Sequence, residues 1–340
     1  MSKQSSTAAS SLSTNSLILF EVTWAVVALL FFLFFSVPPD GGERSQWYRN
    51  GITVLETGAF VISSLLCLRN WRSGQIVSGR GVWFWIFLGL LSYAVGNIFF
   101  YIWNSLFGLD PDVSLGDAFY LLSYIFLAAG MLQAVLPRRL NLEVRQWGIV
   151  ALTGFLGVAL VVFLNVKEPP ETAAQLSSTG DRPDIVAPQT ILVRAPAASP
   201  SIAVKLPTVN LEIAPAATVL GVTAPPWAAE LDAALEPYSG IVGWLYVLGD
   251  CLLLVVAATL LVAFWGGRFT QSWKLIAVAA FCLYIADMFF AYYVNVLDAY
   301  QEGDLWEIFW TFSAIFFGLG AIVEHSVSSR SRRTSRRRRA

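Results

Sequence analysis

Long apolar runs recur along the chain and are separated by polar segments. Eight of them approach the roughly 20 residues that an α-helix needs to cross about 30 Å of hydrocarbon. They cover residues 17–36, 51–68, 83–105, 116–136, 147–165, 240–265, 273–295 and 305–323. The pattern therefore predicts an all-α, polytopic membrane protein with eight transmembrane helices.

Two stretches of the chain share one pattern of residues. Trp83–Met131 can be aligned with Trp273–Ala321 without a gap. Identical or similar residues then pair as Phe99 with Phe289, Phe119 with Phe309, Ser123 with Ser313, Gly130 with Gly320, Asn97 with Asp287, Asp112 with Glu302 and Asp117 with Glu307. We interpret the match as a parallel internal repeat, in which helices 2–4 and helices 6–8 are the two copies.

The composition agrees with a membrane protein. Of the 340 residues 56% are hydrophobic and 13% are charged, and the mean hydropathy is +0.62, which argues against two soluble domains. Bases follow helices 2, 4 and 6 and end the chain, whereas the alternate loops carry Asp110, Asp112, Asp298, Glu302 and Asp304. By the positive-inside rule both termini lie in the cytoplasm. We expect a multi-pass protein of the bacterial inner (plasma) membrane.

The same patterns divide the chain into five segments. A cytoplasmic tail, 1–16, precedes helices 1–5 in 17–165; an extracytoplasmic loop, 166–239, precedes helices 6–8 in 240–323; and a basic cytoplasmic tail, 324–340, ends the chain. Because prolines interrupt strand pairing, we expect the Ala/Pro-rich loop to be largely disordered apart from a short interfacial helix at 228–235. The arginine-rich tail is expected to bind anionic lipid, at about 1 kcal/mol per basic residue, and no nucleic acid.

Polar side chains occur inside several apolar helices, each three or four residues from an aromatic residue, so that both lie on one helix face. At 1.5 Å per residue, all of them fall in the half of the bundle next to the acidic loops. The candidate ligand-binding residues are Asn97, Tyr101, Asp117, Tyr120, Tyr124, Tyr246, Asp250, Tyr284, Asp287, Glu307 and Trp310. Glu56 ranks below them, and Glu21 lies near a helix end, where we expect its carboxylate to reach the interface.

Carboxylates at these depths need a physical explanation. An aspartate at mid-bilayer costs on the order of 3 kcal/mol, so these side chains are expected to face the bundle interior or a wet cavity. No Arg or Lys lies at the same depth. The acids are therefore protonated, bonded to tyrosine and backbone groups, or paired with a cationic ligand, which aromatic rings also attract. The alternative is that they only join helices by hydrogen bonds worth about 0.6 kcal/mol each.

Several classes of site find no support in the sequence. His325 is the one histidine, so bis-histidine haem and histidine-rich zinc sites are excluded. Cys67, Cys251 and Cys282 lie inside apolar helices without a CxxC spacing and are interpreted as buried structural thiols. No GxGxxG motif with an acidic partner, Walker loop or GxSxG motif occurs. We predict no catalytic residue, no metal and no cofactor, and a protein that is not an enzyme.

Two phrases carry a family resemblance: LGDAFYLLSYIFLAAG and IADMFFAYYVNVLDAYQEGDLWEIFWTFSAIFFGLGA. Their acidic, aromatic and glycine spacing is similar to the multi-helix membrane input region found N-terminal to GGDEF diguanylate cyclases in bacterial signalling proteins. The matching positions are Gly116, Asp117, Tyr120, Tyr124 and Gly130, and later Ala286, Asp287, Tyr300, Gly303 and Trp310. The resemblance implies a bundle that senses an external or membrane-borne signal. We expect no output domain after helix 8, and therefore output through a separate partner.

Three functions remain open on the sequence alone. The first is a non-enzymatic sensory or ligand-binding membrane module with an outward-facing pocket. The second is a subunit or assembly factor of a larger membrane complex, with the long loop and the arginine tail as docking arms. The third is a proton- or cation-coupled carrier. The expected partners are the lipid bilayer and a protein, either a different chain or a second copy of this one.

Overall fold

The computed structural model describes residues 13–38, 42, 44–74, 76–109, 113–135, 143–165, 224–264, 270–297 and 299–337. The predicted N-terminal tail up to residue 12 lies outside these ranges. So does the Ala/Pro-rich loop between residues 166 and 223. The short helix predicted at 228–235 lies within them.

Nine α-helices are present in the described part of the chain. They are α1 Thr14–Phe35, α2 Gln46–Arg72, α3 Arg80–Tyr101, α4 Leu115–Val135, α5 Val144–Asn165, α6 Pro226–Leu235, α7 Ser239–Ala263, α8 Thr270–Asn295 and α9 Ile308–Arg337. Eight helical segments are long and apolar enough to cross a membrane, with α6 and α7 counted as one of them. The all-α class and the eight spans are thereby confirmed, and spans 6, 7 and 8 correspond to α7, α8 and α9.

Local chemistry accounts for the starts of two helices, and two other helices extend further than their apolar runs. α1 begins before the apolar run because the Ser13 side chain caps it, accepting a hydrogen bond from the Ser16 amide at 3.1 Å. α6 has Pro226 in its first turn, where a missing N–H is harmless. A π-helical turn, Ile102–Leu106, extends α3. α9 continues to Arg337, well beyond the end at residue 323 that the apolar run predicted.

Six helices form a closed ring. Its order is α2, α3, α4, α7, α8 and α9, and α9 packs against α2. Outside the ring, α1 lies against α9 and α2, and α5 lies against α7 and α8. We call the end of the ring with the loops after α1, α3 and α8 the acidic-loop end, and the opposite end the arginine-rich end.

Two glycines at aligned positions allow two helix pairs to approach closely. A Cβ atom on Gly130 of α4 would lie 2.8 Å from Ile86 Cγ1 and 3.1 Å from the Val82 carbonyl oxygen of α3. A Cβ atom on Gly320 of α9 would lie 2.9 Å from Ile276 Cγ1 of α8. It would also lie 3.2 Å from the carbonyl oxygen of the α8 residue that is aligned with Val82. α3 with α4 and α8 with α9 therefore pack in the same register.

Hydrogen bonds fasten α9 at the arginine-rich end. Glu324 Oε1 accepts bonds from the Ser78 amide at 3.1 Å and the Ser78 hydroxyl at 2.8 Å. Asn70 Nδ2 donates to the Ala321 carbonyl at 2.8 Å. These bonds join α2 to the end of the apolar run of α9, and the α2–α3 loop to the residue just past it.

Candidate functional site

Asp250 and Asp287 meet at one tyrosine hydroxyl. The Tyr124 hydroxyl lies 2.8 Å from Asp250 Oδ1 and 2.6 Å from Asp287 Oδ2. On its other side, Asp287 Oδ1 accepts a hydrogen bond from Trp310 Nε1 at 2.9 Å. The contact joins α4, α7, α8 and α9 and lies inside the ring, with Asp250 only 4% exposed.

The number of hydrogens at this contact limits its charge. A tyrosine hydroxyl has one hydrogen, so it can donate to Asp250 or to Asp287 but not to both. The two carboxyl groups also lie close enough to interact electrostatically, and two ionised carboxylates repel each other. The hydrogen bonds and charges at this contact are therefore balanced only if one carboxyl of the pair carries a proton. A bound cation in place of that proton would have the same effect.

An amide occupies the aligned position in the other helix pair. Asn97 of α3 accepts a hydrogen bond from the Tyr120 hydroxyl at 2.8 Å. Its amide nitrogen donates to Glu56 Oε1 of α2 at 2.9 Å. Asn97 and Glu56 are each 8% exposed. The asparagine acts both as acceptor and as donor, so all of these contacts can form without an added cation.

Asp117 lies at the start of α4, at the acidic-loop end. Its Oδ2 atom accepts bonds from the Ser114 amide at 2.7 Å and the Ser114 hydroxyl at 3.0 Å. Its Oδ1 atom accepts a bond from the Tyr246 hydroxyl of α7 at 2.7 Å. Asp117 therefore caps α4 and links it to α7.

These contacts converge on one region, which we call the polar centre. Tyr93 of α3 lies within it, stacked on Phe60 with ring centroids 4.0 Å apart and edge-on to Tyr120 at 4.9 Å. It interacts electrostatically with both Glu56 and Asp287. Every hydrogen-bond donor to the acids described above is neutral. The members of the polar centre are Glu56, Tyr93, Asn97, Asp117, Tyr120, Tyr124, Tyr246, Asp250, Asp287 and Trp310.

Three predicted ligand-binding residues lie outside the polar centre. Both carboxylate oxygens of Glu307 accept a bond from the Gly303 amide at 2.9 Å, closing a turn in which Gly303 has φ +99°. Tyr284 donates to the Gly157 carbonyl of α5 at 2.8 Å and lines an apolar groove between α5 and α8. Tyr101 is half-buried at the end of α3. A ligand role for these three stays a prediction without support from their contacts.

Charged residues also lie at the acidic-loop end of the ring, near the polar centre. Arg44 forms an ion pair with Asp304 there. Burial raises the pKa of Glu302 above its ordinary value, and the Arg49 guanidinium partly offsets this rise. Burial also raises the pKa of Tyr300, and the charges of Glu307 and Glu302 raise it further. The acidic-loop end of the ring thus combines acids with two nearby arginines.

Two glutamates lie where the sequence did not predict them. One was ranked below the other candidate ligand-binding residues, and the other was expected at the membrane interface. Glu56 had only its depth in its favour, yet it bonds to Asn97 within the polar centre. Glu21 was expected at the interface, but it is 2% exposed, because α1 turns this side chain toward α2 and α9. The alignment of Asn97 with Asp287 predicts that both are buried. A buried asparagine needs an acceptor for its amide hydrogens, and this requirement could have pointed to Glu56.

No group of three or more His, Cys, Asp or Glu side chains among the described residues could hold a metal ion. No family model, curated protein or solved structure matches this chain. The molecule is a polytopic membrane protein with eight candidate spans.

Proposed function

We propose that the chain is a non-enzymatic sensory module of the membrane, in which the polar centre binds a small cation. The observation that carries the proposal is the sharing of the single Tyr124 hydroxyl by Asp250 and Asp287. None of the donors to this pair is basic, so the site lacks one unit of positive charge or one hydrogen. A proton or a small amine supplies either.

The surroundings of the pair suit a cation for a second reason. Trp310 and Tyr124 both contact Asp287, and Tyr246 packs edge-on against Tyr124 with centroids 5.9 Å apart. Aromatic faces attract cations by about 0.5–2 kcal/mol, more when the site is desolvated. Carboxylates and rings together therefore favour a small organic cation over a neutral ligand of the same size.

α9 supports a route from this site to a partner. Trp310 lies in its first turn and bonds to Asp287. The same helix is held by Glu324 to the α2–α3 loop and then continues to Arg337. We propose that a cation at the pair weakens the bond between Trp310 and Asp287, and that the resulting shift of α9 reaches a separate protein or the anionic membrane surface at its arginine-rich end.

The test is thermal unfolding of the full chain in lipid nanodiscs. Methylammonium chloride is compared with N-methylglucamine chloride at equal ionic strength. We expect methylammonium to raise the unfolding temperature of the unaltered protein, and Asp287→Asn and Asp250→Asn to remove that rise. Tyr284→Phe is the matched control, because this residue is on α8 but bonds to Gly157 outside the polar centre. A full rise in the doubly substituted Asp250→Asn, Asp287→Asn protein would remove the proposal.

A proton-coupled carrier is the second candidate, and the hydrogen count at Tyr124 favours it. A proton on the Asp250–Asp287 pair can pass between the two carboxyl groups by way of the Tyr124 hydroxyl, which lies within hydrogen-bond distance of both. Proteoliposomes loaded with a pH-sensitive dye distinguish the two functions. Proton uptake that is lost in Asp287→Asn supports a carrier, and cation-dependent stabilisation without uptake supports the sensor.

We also infer that α2–α4 and α7–α9 descend from one duplicated unit. The aligned hydrogen bonds Tyr120–Asn97 and Trp310–Asp287 support this, as do the aligned close contacts of Gly130 and Gly320. Trp83 and Trp273, the first aligned pair, lie against each other with ring centroids 6.2 Å apart, as expected near a two-fold axis.

The resemblance to diguanylate cyclase input regions fits the sensory proposal, because its motif residues Asp117, Tyr120, Tyr124, Asp287 and Trp310 all belong to the polar centre. A bacterial inner membrane location with cytoplasmic termini is part of the same proposal. A role as assembly factor would depend on the loop between residues 166 and 223, which lies outside the described residues.

A further inference from the structure

A second buried carboxyl lies away from the polar centre. Glu21 is on α1, outside the ring, and is 2% exposed. Its Oε1 atom has no hydrogen-bond partner among the described residues. Glu21 is in the second turn of α1, so it lies toward the arginine-rich end of the bundle, whereas Asp250 and Asp287 lie toward the acidic-loop end.

Two other helices complete the surroundings of Glu21. Ser63 of α2 is fully buried, and its hydroxyl also has no partner among the described residues. A Cβ atom on Gly318 of α9 would lie 2.6 Å from Ser63 Oγ and 2.9 Å from Glu21 Oε1. The absence of a side chain at Gly318 therefore leaves the space in which both oxygens lie.

Few charges are near enough to balance an ionised Glu21. α1 has no other titratable side chain, and α9 has none between Glu307 and Glu324. On α2 the Cys67 thiol interacts electrostatically with Glu21, and Arg69 follows further toward the arginine-rich end. A buried carboxylate ion without a paired cation is strongly disfavoured, whereas the neutral acid has one hydrogen that the Ser63 oxygen can accept.

We propose that Glu21, Ser63 and the side-chain-free position at Gly318 form a second intramembrane site, which binds a proton, and that this proton keeps α1 docked on α2 and α9. The site is separate from the polar centre and does not depend on its proposed function. When the proton is bound, the neutral carboxyl stays in the space beside Gly318, next to Ser63. When it leaves, the carboxylate moves toward water and draws α1 away from the ring.

Infrared difference spectroscopy of the full chain in nanodiscs tests whether the proton is held. The unaltered protein minus Glu21→Gln should show the carbonyl band of a protonated carboxylic acid at pH 7, where an ordinary glutamate is ionised. The band should disappear as the pH is raised. Glu143→Gln is the matched control, because Glu143 is exposed and should contribute no such band. Absence of the band from the Glu21→Gln difference at pH 7 would overturn the proposal.

Hydrogen exchange of the α1 amides tests docking. In the unaltered protein, exchange within α1 should rise by about tenfold over the pH range in which the infrared band is lost, after correction for intrinsic exchange. Glu21→Gln should not show this additional rise, because its side chain stays neutral. Equal exchange profiles in the two proteins would overturn the role of the proton in docking. Asp287→Asn should leave the Glu21 band unchanged, which separates this site from the polar centre.

Discussion

The two aligned helix pairs contain a hydrogen bond at the same position, but the acceptor is an amide in one pair and a carboxylate in the other. In α3–α4 the Tyr120 hydroxyl donates to Asn97, and in α8–α9 the Trp310 indole donates to Asp287 at the aligned position. Asn97 has amide hydrogens left for Glu56, and it uses one of them. An ionised Asp287 has none for Asp250. The first pair is thus complete as it stands, whereas the second needs a proton or a cation.

This difference separates a structural half from a responsive one. Both halves carry an acid from the preceding helix of their unit, Glu56 in α2 and Asp250 in α7. In the first half that acid bonds to an amide, Asn97, whereas in the second half it lies beside another acid, Asp287. Changes that exchange amide for acid, or remove the shared hydroxyl, therefore test whether the response belongs to the second half alone.

Asn97→Asp should have the largest effect on stability. It places a second acid beside Glu56 and removes the donor that Glu56 uses, so at neutral pH we expect a loss of about 3 kcal/mol or more in unfolding free energy. The loss should shrink at lower pH, where the new pair can share a proton. Denaturant unfolding at pH 5 and pH 8 measures both values. Asp287→Asn should destabilise far less, because its amide can donate to Asp250 as Asn97 donates to Glu56.

Tyr124→Phe should follow in size. It removes the hydroxyl that Asp250 and Asp287 share, and a hydrogen bond to a charged group contributes about 1.5–3 kcal/mol, so we expect a loss of about 2–3 kcal/mol. Tyr120→Phe also removes a tyrosine hydroxyl, but one that donates to the neutral Asn97, and it should cost about 1 kcal/mol. Equal losses in the two variants would contradict the idea that the two halves differ in charge.

Gly130→Ala and Gly320→Ala test what the halves share. A Cβ atom would approach Ile86 Cγ1 to 2.8 Å in the first case and Ile276 Cγ1 to 2.9 Å in the second, each with a backbone carbonyl close behind. Overpacking of this kind should cost about 1–2 kcal/mol in both variants. Thermal unfolding should give matching losses, with the cation response of each variant unchanged. A large effect at one glycine alone would weaken the inferred duplication.

The apolar runs were enough to predict the helices, because a segment in hydrocarbon must satisfy its backbone internally and needs a defined length. They also indicated that an acid deep within a run, such as Asp250, would turn inward. Helical spacing could not tell which neighbour a face meets. Tyr284 and Asp287 are three residues apart on α8, yet one bonds to α5 and the other lies in the ring. Which side chain faces the ring and which faces α5 depends on how the helices pack, and the sequence pattern does not contain that information.

The surroundings of two glutamates also could not be read from the sequence. Glu307 was predicted to bind a ligand because it begins an apolar helix, but a carboxylate at that position can also cap the preceding turn, as it does at Gly303. Glu21 is a single acid near a helix end, where an interfacial position is usually favourable. Its burial depends on Gly318, which is distant in sequence and leaves space for it on α9.

Glu302→Gln should have the smallest effect, and it is visible only as a dependence on pH. Burial raises the pKa of Glu302 in the folded protein above its unfolded value near 4.5, so the folded state favours the protonated form. Its contribution to stability is present below pH 4.5 and is lost as the pH rises through the folded-state pKa. Other nearby groups titrate or carry charge as well, namely Arg49, Glu56, Glu307 and Tyr300. The informative quantity is therefore the unfolding free energy of the unaltered protein minus that of Glu302→Gln.

That difference should favour the unaltered protein most at low pH and decline as the pH rises. Arg49→Met should move the decline to higher pH, because the guanidinium charge that lowers the pKa is gone. Unfolding free energies measured across this pH range with and without Arg49 provide the check. A pH-independent difference would mean that Glu302 is ionised equally in the folded and unfolded chain. Glu302 would then place a full negative charge at the acidic-loop end of the ring at every pH above the ordinary carboxylate range.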